Sequence, residues 1–173
     1  MQVQQVPAIA DSEILARYIR DPQHFHNRRR HQKKRGETLD FVDLIPFRLF
    51  RPQTGEQVSS LVRRRYGNAD TAMHAADVDA VAFIEFEAAC TRLVEVSVES
   101  GIVSLSVKAD PLEGFDSHAI LFSQEIDVKR YPKQRGEEMD NELRKLLTQL
   151  YEKLFAMCGV PQLIPETLGE VTS

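Results

Sequence analysis

The chain has 173 residues, 42% of them hydrophobic and 28% charged, which suits one domain with its own core. No apolar run approaches the ~20 residues of a membrane span, and the polar start MQVQQ lacks the core of a signal peptide. A cytoplasmic protein without membrane contact is therefore expected. The net charge of −4 conceals a split, because residues 1–66 carry a net +6 and residues 67–173 a net −10. Such asymmetry points to different partners for the two halves, or to halves that neutralise one another within a chain or across a dimer.

Three divisions are expected: a basic N-terminal arm with a short helix over 1–36, a single α+β domain over 37–164, and a disordered tail over 165–173. In the arm, Asp11-Ser12 reads as a cap for a helix reaching Arg20, with Ile14, Leu15, Tyr18 and Ile19 on one side. Asp21-Pro22 ends it. His24–Arg35, HFHNRRRHQKKR, then packs six Lys/Arg and three His into twelve residues. Each Lys or Arg that neutralises a phosphate releases condensed counterions, so Arg28, Arg29, Arg30, Lys33, Lys34 and Arg35 are candidate nucleic-acid contacts. The competing reading is a solvated linker or a run paired with the acidic half. His24, His26 and His31 are read as polar members of the arm rather than metal ligands, since no cysteine or second histidine pair completes a tetrahedral set.

Residues 39–51, LDFVDLIPFRLFR, have β character interrupted by Pro46, and Phe47–Arg51 reads as a short strand. Thr54 with Gln57 has the form of a capping box opening a helix to about Tyr66. Arg63, Arg64 and Arg65 close that helix, where they suit its negative end and add to the basic footprint. Together with Arg48 and Arg51 they complete the candidate phosphate contacts. A basic strand followed by a helix resembles the opening of the ribbon-helix-helix DNA-binding family. The resemblance covers residues 46–92 and implies Arg48 and either Phe50 or Arg51 in the major groove, with Ala76–Arg92 as second helix. The connection over 67–76 is longer than that family's tight turn.

Asp77–Arg92, DVDAVAFIEFEAACTR, reads as a buried helix, with a strand as the alternative. Its carboxylates Asp77, Asp79, Glu85 and Glu87, with Glu95, raise a divergent metal-dependent nuclease as a minor alternative. Leu93–Lys108 is a hairpin by two agreeing signals. Val94, Val96 and Val98 alternate with polar residues before Ser100-Gly101, and Val103, Leu105 and Val107 do so after it. A turn at Ser100-Gly101 sets Val98 against Val103, Val96 against Leu105 and Val94 against Val107. His118–Val128 reads as a third strand with Ile120, Phe122, Ile126 and Val128 on one face. Lys129–Gly136, KRYPKQRG, is a second small basic patch. Glu137–Cys158 carries apolar residues at 139, 143, 146, 147, 150, 154 and 158, which is helical spacing over five turns. Cys90 and Cys158 have no CxxC or ligand spacing and are expected as free thiols.

The fold class expected is thus α+β, an antiparallel sheet of three or more strands packed on a long C-terminal helix, preceded by a basic, mostly helical or irregular region. The function expected is non-enzymatic, regulatory nucleic-acid binding, DNA before RNA, with a homodimer as the assembly and no cofactor or metal. The alternative is a protein-interaction module, an adaptor, immunity protein or chaperone, whose basic arm docks on an acidic partner or subunit. No glycine-rich phosphate loop, GxSxG or HExxH appears.

Overall fold

A computed structural model of the chain describes residues 5–20, 24, 44–52, 55, 57–64 and 80–163. The fold is α+β. Six strands form one antiparallel sheet: β1 (Ile14–Arg20), β2 (Ser59–Arg63), β3 (Ala80–Glu87), β6 (Ser106–Ala109), β7 (His118–Phe122) and β8 (Gln162–Leu163). Their order across it is β6-β7-β2-β1-β3-β8. A separate hairpin joins β4 (Glu95–Val98) to β5 (Gly101–Ser104). The helices are α1 (Pro46–Phe50), α2 (Ala89–Arg92) and α3 (Asn141–Ala156).

Four elements differ from the sequence expectation, and two share one cause. β1 and β3 are inner strands with apolar residues on both faces, so they lack the alternation of a half-exposed strand. In β1, Leu15 and Ile19 enter one core while Ala16 and Tyr18 enter another. The pattern Ile14, Leu15, Tyr18, Ile19 that suggested a helix is thus a strand buried on both sides. β3 replaces the helix expected over 77–92, leaving only the short α2 helical. Conversely, Phe47–Arg51 is not a strand. Pro46 stands at the first helical position, where its fixed φ is favourable, and Phe47 and Phe50 sit at i, i+3 against Tyr151 of α3, with ring centroids 6.2 and 5.9 Å away. β2 likewise replaces the helix expected after Thr54, with Leu61 paired to Ala119 of β7. Strand and helix exchange places over 46–63, and 80–87 is a strand, so the ribbon-helix-helix resemblance does not hold.

The hairpin is present with its register moved by two residues. Val96 faces Val103 and Val98 faces Gly101, so Glu99-Ser100 make the turn. Gly101 has φ +138°, a conformation open to glycine, which lets the chain reverse before rather than through it. A shift of two keeps the apolar face intact, and Val94, Val96, Val103 and Leu105 are all buried. Beyond Leu105 the chain leaves the hairpin. Val107, expected opposite Val94, pairs with Leu121 in the main sheet. The third strand ends at Phe122, and its buried apolar residues are Ala119 and Leu121 rather than Ile120 and Phe122. Ile126 is buried beyond the strand, and Val128 opens an exposed 3₁₀ turn to Arg130.

The C-terminal helix begins later than expected because Asp140 caps it, accepting the Leu143 N–H at 2.7 Å. Leu143, Leu146, Leu147, Leu150, Tyr151 and Leu154 form its buried stripe. They meet α1, the hairpin and one face of the sheet in a single large core. The opposite face carries a smaller cluster of Ala16, Tyr18, Val62, Ala80 and Phe83. No helix among the described residues is long and apolar enough to cross a membrane.

Candidate functional site

Only part of the expected basic footprint lies among the described residues. Arg28, Arg29, Arg30, Lys33, Lys34, Arg35 and Arg65 fall outside them. What the structure gives instead is the two ends of the segment that carries the first six. After β1 the chain turns back at His24, whose N–H donates to the Arg20 carbonyl while its Nδ1 accepts the Arg20 N–H at 2.9 Å. The His24 carbonyl accepts the N–H of Ile45, the residue that leads into α1, at 2.9 Å. His24 and Ile45, described residues on either side of segment 25–43, are therefore joined directly. Burial, with Arg17 and Arg20 nearby, drives the His24 pKa down to about 3. The imidazole is neutral there, as its acceptor role requires.

The remaining arginines divide sharply. Arg48 on α1 and Arg51 just after it are exposed, less than two helical turns from Ile45. Arg63, offered by the sequence as a phosphate contact, is completely buried. Its guanidinium grips both carboxylate oxygens of Glu13, at 2.5 and 2.9 Å, and donates to the Pro7 carbonyl at 2.8 Å. It belongs to the fold, with no surface left for a ligand. Arg64 is half-buried over the Phe83 ring, 5.3 Å from its centroid, with Glu85 3.5 Å from its Nε.

The second basic stretch comes to the same end of the molecule. Buried Tyr131 anchors it, and the Gly55 N–H donates to the Pro132 carbonyl at 3.3 Å, which brings the segment following Arg51 against it. Lys129, Lys133 and Arg135 are exposed around that anchor. The neighbouring acids are turned to backbone or to one partner. Asp127 accepts the Lys129 N–H, Glu137 accepts the Lys133 N–H, and Asp140 meets Arg130 at 3.3 Å. The Arg144 guanidinium lies 5.0 Å from the Phe47 ring centroid, linking the start of α3 to α1. The basic patch is visible in the sequence, but no local pattern there signals that it meets α1.

A third grouping had no sequence signal at all. On the face of the sheet opposite the main core, His118 of β7 lies between Asp110 and Ser60 of β2. Its Nδ1 is 2.7 Å from the Asp110 carbonyl oxygen and 3.1 Å from Oδ2 of the same residue, and its Nε2 is 3.2 Å from the Ser60 hydroxyl. Of the nuclease carboxylates, Glu85 is engaged by Arg64 and Gln162, and Asp77 and Asp79 lie outside the described residues. Among the described residues no group of three or more His, Cys, Asp or Glu is arranged to hold a metal.

Comparison of the chain with protein families, with characterised proteins and with solved structures finds no match.

Proposed function

We propose that the protein binds nucleic acid, duplex DNA before RNA, through phosphate contacts made by the basic run of segment 25–43 together with Arg48 and Arg51. The bond from the Ile45 N–H to the His24 carbonyl carries this reading. Arg28 follows His24 by four positions, so a fully extended chain carries it no farther than about 14 Å away. His24 and Ile45, the described residues that flank the run, lie at the α1 end of the molecule, where the proposed contacts of the run would join Arg48 and Arg51. Exposed Lys129, Lys133 and Arg135 extend positive charge across that end. The aromatics Tyr18 and Phe83 on the second sheet face are buried, which favours phosphate contact over stacking of splayed RNA bases. The net −10 of residues 67–173 holds the rest of the body off the phosphates and orients the basic end toward them.

The test is binding to random-sequence duplex DNA, titrated from low to physiological salt. It compares the wild type with a variant in which Arg28, Arg29, Arg30, Lys33, Lys34 and Arg35 are all alanine. Each phosphate contact contributes a slope of roughly −0.9 to the log–log salt plot, so the variant should bind more weakly with a slope several units shallower. Absence of binding by the wild type at low salt would overturn the reading and make a protein partner the leading one.

A further inference from the structure

We propose that Ser60, His118 and Asp110 form a nucleophilic site at which the Ser60 hydroxyl accepts an acyl group from a small activated ester. The hydrogen bonds fix the protonation pattern. A backbone carbonyl can only accept, so the His118 Nδ1 that lies 2.7 Å from the Asp110 carbonyl carries the proton. Nε2 then holds a lone pair, and the hydroxyl 3.2 Å away donates to it. The Asp110 carboxylate, 3.1 Å from the same Nδ1, adds negative charge where the imidazolium will form. Nucleophile, base and orienting acid thus stand in the order that acyl transfer requires.

The fold supplies accessibility on one side and rigidity on the other. Ser60 is exposed, whereas the His118 side chain is 11% exposed and the Phe115 ring lies against it, with centroids 5.9 Å apart. The strand pairings fix the rest. Val62 faces His118, and Ser60 faces Ile120, which faces Lys108 of β6 in turn. Ile120 offers an apolar seat for a short acyl chain beside Ser60, and Lys108 brings positive charge to the same face. Nothing in this arrangement depends on the nucleic-acid reading.

In the step itself, Ser60 Oγ bonds to the acyl carbon as its proton passes to His118 Nε2, and the carbonyl π pair moves to oxygen. When that pair returns, the bond from acyl carbon to leaving oxygen breaks, and the alcohol or phenol departs with the proton from His118. Nothing is oxidised or reduced. Water on the same base completes hydrolysis. Ser60 lies mid-strand rather than on a strand-to-helix elbow, so the local backbone does not present the paired N–H donors of an oxyanion hole. Without them both steps are slow, and because the serine ester has a poorer leaving group than the activated ester, its hydrolysis is the slower one and the acyl-protein accumulates.

Incubation of the full chain with p-nitrophenyl acetate, followed by peptide mass spectrometry, tests this, with Ser100 in the exposed β4–β5 turn as an internal control. Acetyl should appear on Ser60 about 100-fold faster than on Ser100 and be absent from Ser60→Ala, since a positioned base contributes 10²–10⁴-fold. His118→Gln should lower the Ser60 rate roughly 100-fold. Asp110 acts as a positioning residue, so Asp110→Asn should give an intermediate rate that Asp110→Glu raises again. Thermal melting shows whether each variant is folded, and should His118→Gln unfold, the Ser60 to Ser100 ratio in the wild type still decides. Equal acetylation of Ser60 and Ser100, or an undiminished Ser60 rate in folded His118→Gln, would overturn the proposal.

Discussion

Arg63 and Arg64 are neighbours, yet β2 sends them to opposite faces of the sheet, and their environments share almost nothing. Arg63 points into the large core, where Glu13 and the Pro7 carbonyl satisfy it in a site that excludes water. Arg64 lies across Phe83 with its charge partly in water. A charge run in sequence is therefore not a charge patch in space when the run falls on a strand. Parity assigns one residue to structure and leaves the next to the surface. The same parity places Ser60 and His118 together on the second face while Leu61 and Ala119 between them face the main core.

The comparison is sharpest in stability. Arg63→Ala leaves Glu13 buried and uncompensated and should cost about 3–5 kcal/mol in chemical denaturation. Replacing both, as Arg63→Met with Glu13→Leu, should recover much of that loss, because the penalty lies in the unpaired charge. A single variant as stable as wild type would remove the distinction between the faces. Leu150→Ala on α3, fully buried beneath the same core, should cost about 2–5 kcal/mol by the same measurement.

The pH dependence is next in size. The folded pKa of His24 lies near 3, below its ordinary 6.5, so folding favours the neutral ring. The stability it contributes is complete above 6.5 and falls as pH drops from there toward 3. Over the interval down to pH 5 the loss should be about 2 kcal/mol. His24→Asn keeps an acceptor for the Arg20 N–H and should flatten this part of the profile. Arg64→Ala should have the smallest effect, within about 1 kcal/mol, as it loses one cation–ring contact and one long, half-exposed ion pair.

What could be read in the sequence followed from how many faces an element buries. The β4–β5 hairpin and α3 each bury one face, so Val94-Val96-Val98 and the Leu143-to-Leu154 stripe displayed their periods. β1 and β3 bury both faces and displayed none. Pro46 misled because the α1 helix spans only five residues, too few to show a period, while Pro belongs equally to a strand edge and a helix start. Ser60 and His118 are 58 residues apart and meet only through the pairing of β2 with β7, which neither local pattern nor spacing encodes. Likewise, nothing near Lys133 in sequence announced that Gly55 would hold its loop beside α1.

The proposed function requires the basic run and α1 to act as one phosphate-contacting surface. The direct measurement is the salt dependence of duplex DNA binding by Arg48→Ala/Arg51→Ala beside the wild type. The double variant should bind more weakly, with a log–log slope shallower by about 2. An unchanged slope and affinity, with wild-type binding intact, would contradict it and confine any DNA contact to regions other than α1.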